Sequence, residues 1–406
     1  MLEVLRDGSY AKLFSAQVIA LLGTGLLTVA LGLLAFDIAG GDAGMVLGTA
    51  LTIKMVAYVS VSPVMSALTS RLPRKPVLVA ADVLRAVVAL ALPWVDEAWQ
   101  IYVLIFVLQS ASANFTPTFQ AVIPEVLPDE RQYTRALSLS RLAYDLEALL
   151  SPMVAAVLLV VMPYNNLFAG TTIGFVASTM LVLATRFPHV PPGEPTPFLE
   201  RLTRGVRIFW CTGELRALLA MNLVVATATA MVLVNTVVLV RGHLGRPDSD
   251  VALLLAAYGA GSMAVALALP RLLDRVPDRP VMLTGAALLP VGLVAAAAVI
   301  ALPAGGVQWA LLAGVWLALG TATSLILTPS ARLLRRASAA AERPAVFAAQ
   351  FSLSHACFLL TYPAAGTLGA LLGLPATALI LAGIGAVGAV LAVTAWTTVR
   401  QPAPTI

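Results

Sequence analysis

Leu68-Thr69-Ser70-Arg71-Leu72-Pro73-Arg74-Lys75-Pro76-Val77 recurs half a chain further on as Leu272-Leu273-Asp274-Arg275-Val276-Pro277-Asp278-Arg279-Pro280-Val281. Both copies read L-x-x-R-x-P-x-[KR]-P-V, and long apolar segments flank each. A short basic turn between two apolar segments is the pattern of a cytoplasmic hairpin, whose arginines stay in water while the helices enter the bilayer. Its prolines cannot continue a helix, so they mark where one span stops and the next begins. Any tight cytoplasmic loop collects Arg, Lys and Pro. A shared leucine, arginine, valine and two prolines in register are more than that, and they predict two copies of one membrane unit.

Composition agrees. Of 406 residues, 60% are hydrophobic and only 11% are charged, against roughly 25% charged in a soluble domain. The chain is therefore expected to be an all-α integral membrane protein without a large soluble domain. The net charge of +5 is no nucleic-acid signal, because the basic residues sit in short loops between apolar runs. Cys211 and Cys357 lie in different halves and give no disulfide framework. Met1 to Lys12 is polar and contains no cleavable signal, so the first span is expected to stay in the mature protein. No P-loop, G-x-S-x-G elbow or H-E-x-x-H motif occurs. An enzyme, an ATP-driven pump and a bound cofactor are not expected, and the expected form is a monomer.

Apolar runs predict twelve spans, at 13–37, 45–70, 77–94, 99–122, 136–161, 166–186, 217–240, 250–271, 281–302, 308–330, 345–371 and 374–397. This gives a six-helix bundle over 1–186, a cytoplasmic linker over 187–216 and a second bundle over 217–406. The linker holds the proline-dense stretch His189 to Pro197, then a short amphipathic helix, Glu200 to Phe209, bearing Arg201, Arg204 and Arg207. Loops after the even-numbered spans carry Arg71, Arg74, Lys75, Arg131, Arg135, Arg271, Arg275, Arg279, Arg332, Arg335, Arg336 and Arg343, besides the three linker arginines. The opposite loops carry only Arg241 and Arg246. The positive-inside rule then puts both termini in the cytoplasm.

Polar stripes repeat as well. Gln109, Ser112 and Thr116 share one face of span 4, and Thr321, Ser324 and Thr328 share the matching face of span 10. Each set ends in a Thr-Pro step. Such a stripe must face protein or water rather than lipid. It lines either a helix–helix contact or a shared cavity.

The hairpin residues Ser66, Leu68, Ser70, Arg71, Pro73, Arg74 and Lys75, with Asp274, Arg275 and Arg279 in the second copy, resemble the signature cytoplasmic loop of the major facilitator superfamily. Within that superfamily, Thr116-Pro117-Thr118-Phe119-Gln120-Ala121-Val122-Ile123-Pro124-Glu125, and Arg135 to Arg141 leading to Ser151-Pro152, resemble the drug:proton-antiporter branch with its macrolide and siderophore exporters. Arg141 to Glu147 and Val234 to Val238 are similar to nickel- and cobalt-resistance exporters. The resemblance implies two pseudo-symmetric six-helix bundles in a bacterial inner membrane, rocking about a midplane cavity. It also implies a cytoplasmic gate around Arg71, Arg74, Lys75, Asp82, Arg85, Asp274, Arg275 and Arg279. Asp82 and Arg85, three apart just past the first hairpin, are expected to tie that helix end to the loop, or else to form an ordinary intrahelical pair.

An ionisable group at bilayer depth costs about 2.5 kcal/mol or more, so each needs a reason. Arg141 and Asp145 are four apart on span 5 and can pair within the helix. Glu147 points about 200° away from Asp145. It continues a stripe of Ser140, Tyr144 and Ser151 and is the candidate proton carrier, or else is held by a base on another helix. Lys54, deep in span 2, is the expected partner. His355 is read as a core histidine, a proton relay or, with Asp145 and Glu147, a metal ligand. The polar lining of a substrate cavity is expected from Gln17, Thr24, Thr28, Gln109, Ser112, Thr116, Asn222, Asn235, Thr321, Ser324 and Thr328. The expected activity is proton-coupled export of small lipophilic or cationic compounds. The alternatives are divalent-metal export, with nickel or cobalt as substrate, and a transport-inactive membrane sensor or scaffold.

Overall fold

A computed structural model describes residues 2–61, 72–127, 129–185, 187, 198–273, 275–303, 305–339 and 342–397. Arg71, Asp274 and the proline-dense linker stretch therefore lie outside the described residues, as do the side chains of Thr116, Arg141 and Asp145.

The described chain is helical: α1 (Gly8–Ala39), α2 (Ala43–Val56), α3 (Arg74–Ala91), α4 (Ala98–Val126), α5 (Glu130–Val161), α6 (Asn165–Leu183), α7 (Phe198–Cys211), α8 (Gly213–Val237), α9 (Asp248–Leu273), α10 (Asp278–Ile300), α11 (Gly306–Arg336), α12 (Arg343–Leu372) and α13 (Leu374–Thr397). Among the described residues, nine helical stretches are long and apolar enough to cross a membrane. The first of them, Gly8–Val61, holds both α1 and α2.

Start and stop signals follow local chemistry. Asp7 caps α1 by accepting from the Ser9 and Tyr10 amides, and Asp129 caps α5 from the Gln132 amide. Glu97 and Gln100 form a capping box at α4. Gly373, at φ 80°, takes the left-handed turn between α12 and α13. The hairpin prolines act alike in both halves: Pro73 precedes α3 and Pro277 precedes α10, both with extended backbone. The final helix turns run further than the apolar runs suggest. α11 continues through Pro329 to Arg336, whereas the run ended at 330. The linker helix is also longer than expected, covering Phe198–Cys211.

Two departures from regular helix were not predicted. Ala57–Val61 follows α2 as a π-helical turn, and Val238–His243 does the same after α8.

The chain forms two compact units, Met1–Pro195 with Thr236–Gly259, and Thr196–Asn235 with Ala260–Ile406. In the first, α1 is the central element, packed against α5, α6 and α2. Lipid is as apolar as the side chains, so close backbone approach, not apolar burial, selects these contacts. A Cβ on Gly174 of α6 would lie 3.2 Å from the Ile19 carbonyl of α1. Thr171 Oγ1 donates to the Gly23 carbonyl at 2.8 Å. In the second unit α10 packs on α11 and α13, and a Cβ on Gly261 of α9 would meet the Leu317 carbonyl of α11. The linker helix α7 packs on α12.

Candidate functional site

Glu147 projects from the middle of α5 onto α1. Its Oε1 lies 2.9 Å from where a Cβ on Gly25 would stand, and Ser151, one turn along, lies closer still. The missing side chain of Gly25 is thus the space that the carboxylate and the hydroxyl occupy. Ser151 is buried, and its Oγ has no hydrogen-bond partner among the described residues. From α2, Lys54 lies within electrostatic reach of Glu147. The Lys54 ammonium sits 5.7 Å from the centre of the Tyr58 ring, in the π turn that follows. Lys54 and Glu147 both keep partial exposure. Glu147 and Ser151 of α5 thus meet α1 at Gly25, and Lys54 with Tyr58 stands on the neighbouring α2 and its π turn, within electrostatic reach of the carboxylate. Lys54 was the expected partner of Glu147; Tyr58, beside Lys54, is the group that sequence reasoning missed. Its spacing of four from Lys54, on one helical face, was the available signal.

A second buried charged group lies in the same unit. Arg85 of α3 pairs with Asp82, and Ser178 Oγ of α6 donates to Asp82 Oδ2 at 2.6 Å. The guanidinium sits between two rings, 4.3 Å from the Phe115 centroid on α4 and 4.5 Å from that of Phe175 on α6. Asp82 and Arg85 were expected to tie a helix end to the hairpin or to pair within the helix. The pair forms within α3, the second of the two readings, and eleven residues into that helix its guanidinium finds aromatic faces on α4 and α6, so that it locks three helices together inside the unit.

Of the hairpin residues, Lys75 caps the end of α6, donating to the Leu183 and Thr185 carbonyls at 2.6 and 2.9 Å. Lys12 donates to the neighbouring Ala184 carbonyl. Two cations thus meet the negative end of the α6 dipole. Arg74 is half-buried, and Arg275 and Arg279 are exposed. In the second unit Asp278, at the first turn of α10, is buried and takes Arg332 at 3.4 Å and Arg336 at 3.0 Å. Arg336 also reaches Glu214.

The expected cavity residues divide. Gln17 is buried and exchanges hydrogen bonds with Ser140 at 2.6 and 2.9 Å, joining α1 to α5. Thr24, Thr28, Ser112 and Thr321 return their hydroxyls to carbonyls one turn back. Ser324 and Thr328 bond each other at 3.0 Å. Asn235 donates to the Ala365 carbonyl of α12. Gln109 and Asn222 are buried, each with one amide atom lacking a partner among the described residues. In the two polar stripes, the Ser112, Thr321, Ser324 and Thr328 hydroxyls are satisfied within their own helices.

His355 contacts the Phe351 carbonyl at 2.6 Å and lies tilted against the Phe351 ring, 4.2 Å between centroids. Cys357 donates instead to the Leu353 carbonyl. Among the described residues, no group of three His, Cys, Asp or Glu is placed to hold a metal ion.

The two arginines that break the loop-charge bias are each matched by an aspartate. Arg241 bonds Asp248, lies 4.0 Å from Asp37 and covers the Phe36 ring at 5.2 Å. Arg246 bonds Asp250. Beside them, burial and then the Asp37 carboxylate hold the Tyr164 hydroxyl above the usual phenol range.

The family model described as "Major Facilitator Superfamily" matches residues 13–239 and 218–405. The chain is similar to Macrolide efflux protein A of Streptococcus pyogenes, 26% identical over 219 residues, covering 52% of this chain and 53% of that protein. It is also similar to Macrolide efflux protein A of Enterococcus faecalis, 27% identical over 187 residues, covering 43% and 57%. The chain spans about half the length of these curated relatives. Among solved structures, a bacterial homolog of the human lysosomal transporter Spinster, inward-facing and occupied, aligns with TM-score 0.77 at 13% identity, over 98% of this chain and 99% of that one. The nucleoside transporter NupG aligns with TM-score 0.72 at 13% identity, over 96% and 99%. At such identities these two speak for the fold alone.

Proposed function

This chain belongs to the Major Facilitator Superfamily, and we propose that it is a proton-coupled exporter of small lipophilic compounds bearing a basic group. As a family member it is a multi-pass membrane transporter. The finer reading has twelve spans in two six-helix bundles, residues 1–186 and 217–406, joined by the 187–216 linker. Both termini lie in the cytoplasm, since the basic residues crowd the loops on that side.

The observation that carries the proposal is the position of Glu147. Its carboxylate fills the space above Gly25, partly exposed, with Lys54 within electrostatic reach. A carboxylate that is neither lipid-facing nor buried shut can take a proton from one side and release it to the other. Similarity to macrolide efflux proteins supports export as the direction and drug-like compounds as the class. Alternating access supplies the cycle, with cargo and proton taking turns at Glu147.

The test is flux in proteoliposomes under an imposed pH gradient, comparing the wild type with Glu147→Gln. The variant is expected to fold and to lose gradient-driven transport. Full proton-coupled flux without the carboxylate removes Glu147 from this role. Wild-type vesicles that move neither compound nor proton would favour a sensor instead.

A further inference from the structure

The linker helix α7 carries a face that the exporter reading leaves unused. Two candidate membrane spans start beside this helix. Trp210 stands three residues before Gly213, where the span Gly213–His243 begins. The helix also crosses α12 at Ala345 and Ala349, the first turns of the span Ala345–Leu372. A Cβ on Gly205 would collide with the Ala345 carbonyl and lie 2.9 Å from the Ala349 Cβ, so the two helices meet backbone to backbone. α7 is thus fixed at the level where apolar chain gives way to water.

The two sides of α7 differ. Gly205 and Phe209 are buried. Thr203, Arg204, Arg207, Trp210 and Cys211 are exposed, Trp210 at 60%. At about 100° per residue the exposed set fills a sector of about 120°, opposite the buried pair. From Thr203 to Cys211 the helix holds two arginines and no acid. An interfacial helix ordinarily sinks an apolar face into the bilayer. Here α12 covers the buried face, and the face left open is basic. Arg204 and Arg207 are three apart and therefore neighbours on the helix surface, so both guanidiniums can reach one phosphate. Arg204 also lies 3.4 Å from Glu342, but its side chain is 63% exposed, and one contact leaves other donors of the guanidinium free. Trp210, a further three residues along, is the residue type that collects at headgroup level, apolar ring inward and N–H toward water.

We propose that this face of α7 docks on an anionic bilayer surface, with Arg204 and Arg207 taking the phosphates of acidic headgroups and Trp210 seated at the edge of the hydrocarbon. The partner is the membrane that the transporter spans, and the loop-charge bias assigns the contact to the cytoplasmic leaflet. Phosphatidylcholine accepts the indole equally well but sets a cation beside each phosphate. The arginines therefore select acidic lipids, by about fivefold each. The inference stands on α7 and α12 and depends neither on Glu147 nor on the direction of transport.

The test uses the full chain with Cys357→Ser, labelled at Cys211 with bimane, in nanodiscs of phosphatidylcholine. A small fraction of the lipid carries a nitroxide at the top of the acyl chain, on either phosphatidylcholine or phosphatidylglycerol. Both are expected to quench the probe, and the phosphatidylglycerol about fivefold more strongly at equal mole fraction. Arg204→Gln combined with Arg207→Gln should bring the two lipids to equal quenching. Arg204→Lys combined with Arg207→Lys should keep most of the preference, which separates loss of charge from loss of fold. Glu342→Gln removes the ion pair without touching either arginine and should keep it too. Quenching by aqueous iodide with none from either lipid would leave this face in the cytosol, open to a soluble partner, and overturn the inference. Equal quenching by both lipids with the arginines in place, or a preference that the double Gln variant retains, overturns it as well.

Discussion

Glu147 of α5 and Gly25 of α1 share one space: the carboxylate oxygen lies 2.9 Å from the position that a Cβ on residue 25 would take. The side chain of Ser151 lies closer still to the same point, so even an alanine has no room. Gly25→Ala must push α1 off α5 or drive the carboxylate aside. Overpacking of this kind costs about 1–3 kcal/mol. The expected outcome is a lower melting temperature in detergent together with a shifted pH profile of transport. Gly25→Ala combined with Ser151→Gly should recover most of the melting temperature, because it frees the larger part of the overlap. A single variant that melts like wild type would mean that the helices do not approach this closely.

The Asp82–Arg85 lock predicts an asymmetry between single and double substitution. Asp82→Ala leaves a guanidinium buried between Phe115 and Phe175 without its carboxylate. Removing one partner of a buried pair costs about 3–5 kcal/mol, whereas replacing both by apolar groups is often neutral. Asp82→Ala should therefore melt well below wild type, and Asp82→Ala with Arg85→Met should recover most of that loss. Ser178→Ala, which removes one bond to the carboxylate, should cost only about 1 kcal/mol. Thermal unfolding of the purified variants orders the three; equal losses for single and double variants would sink the lock.

Helix order, the hairpin prolines and the amphipathic linker helix were legible because each rests on local chemistry: apolar run length, the missing proline amide, and the 3.6-residue period. Lys54 was matched to Glu147 as an expectation because an ionisable group at bilayer depth demands a partner. Other features depend on which helices become neighbours, and periodicity says which residues share a face, not what faces them. Asp82 and Arg85 read as a hairpin tie or an intrahelical pair because sequence distance was short. Their ring partners, Phe115 and Phe175, come from elements far along the chain. Gln17, Thr321 and Ser324 read as cavity lining, yet a hydroxyl or amide that finds a carbonyl or another side chain serves packing equally well. The π turns at Ala57–Val61 and Val238–His243 carry no proline and no paired glycines that would announce them.

On the hairpin side of the second unit, Asp278 holds two arginines of α11, and its side chain is fully buried while that of Arg336 is about half exposed. Arg336→Ala leaves Arg332 in place and should cost about 0.5–1 kcal/mol, an amount screened further by salt. Asp278→Ala removes both contacts at the start of α10 and should cost more, about 2 kcal/mol, with weaker salt dependence. Melting curves at low and high ionic strength distinguish the two. Identical salt dependence in both variants would place the carboxylate in water rather than inside the protein.

Arg241 stands at the end of the π turn after α8, bonded to Asp248 and 4.0 Å from Asp37, with the Phe36 ring beneath its guanidinium. It joins the end of α1 to the start of α9 within one unit. Arg241→Lys keeps the charge but loses the planar fork that can meet two carboxylates and a ring together, so it should behave as a partial loss. Arg241→Glu puts a third acid beside Asp37 and Asp248, and like charges at this separation repel. The reversed variant is thus expected to loosen the α1–α9 contact and expose it to solvent. Cysteines at Gly41 and Ser249, on either side of the contact, provide the readout. Their crosslinking by short reagents should fall in the order wild type, Arg241→Lys, Arg241→Glu. Restoring it by Arg241→Glu combined with Asp248→Arg would assign the effect to this ion pair, and unchanged crosslinking in the reversed variant would show that the pair does not hold the two helices together.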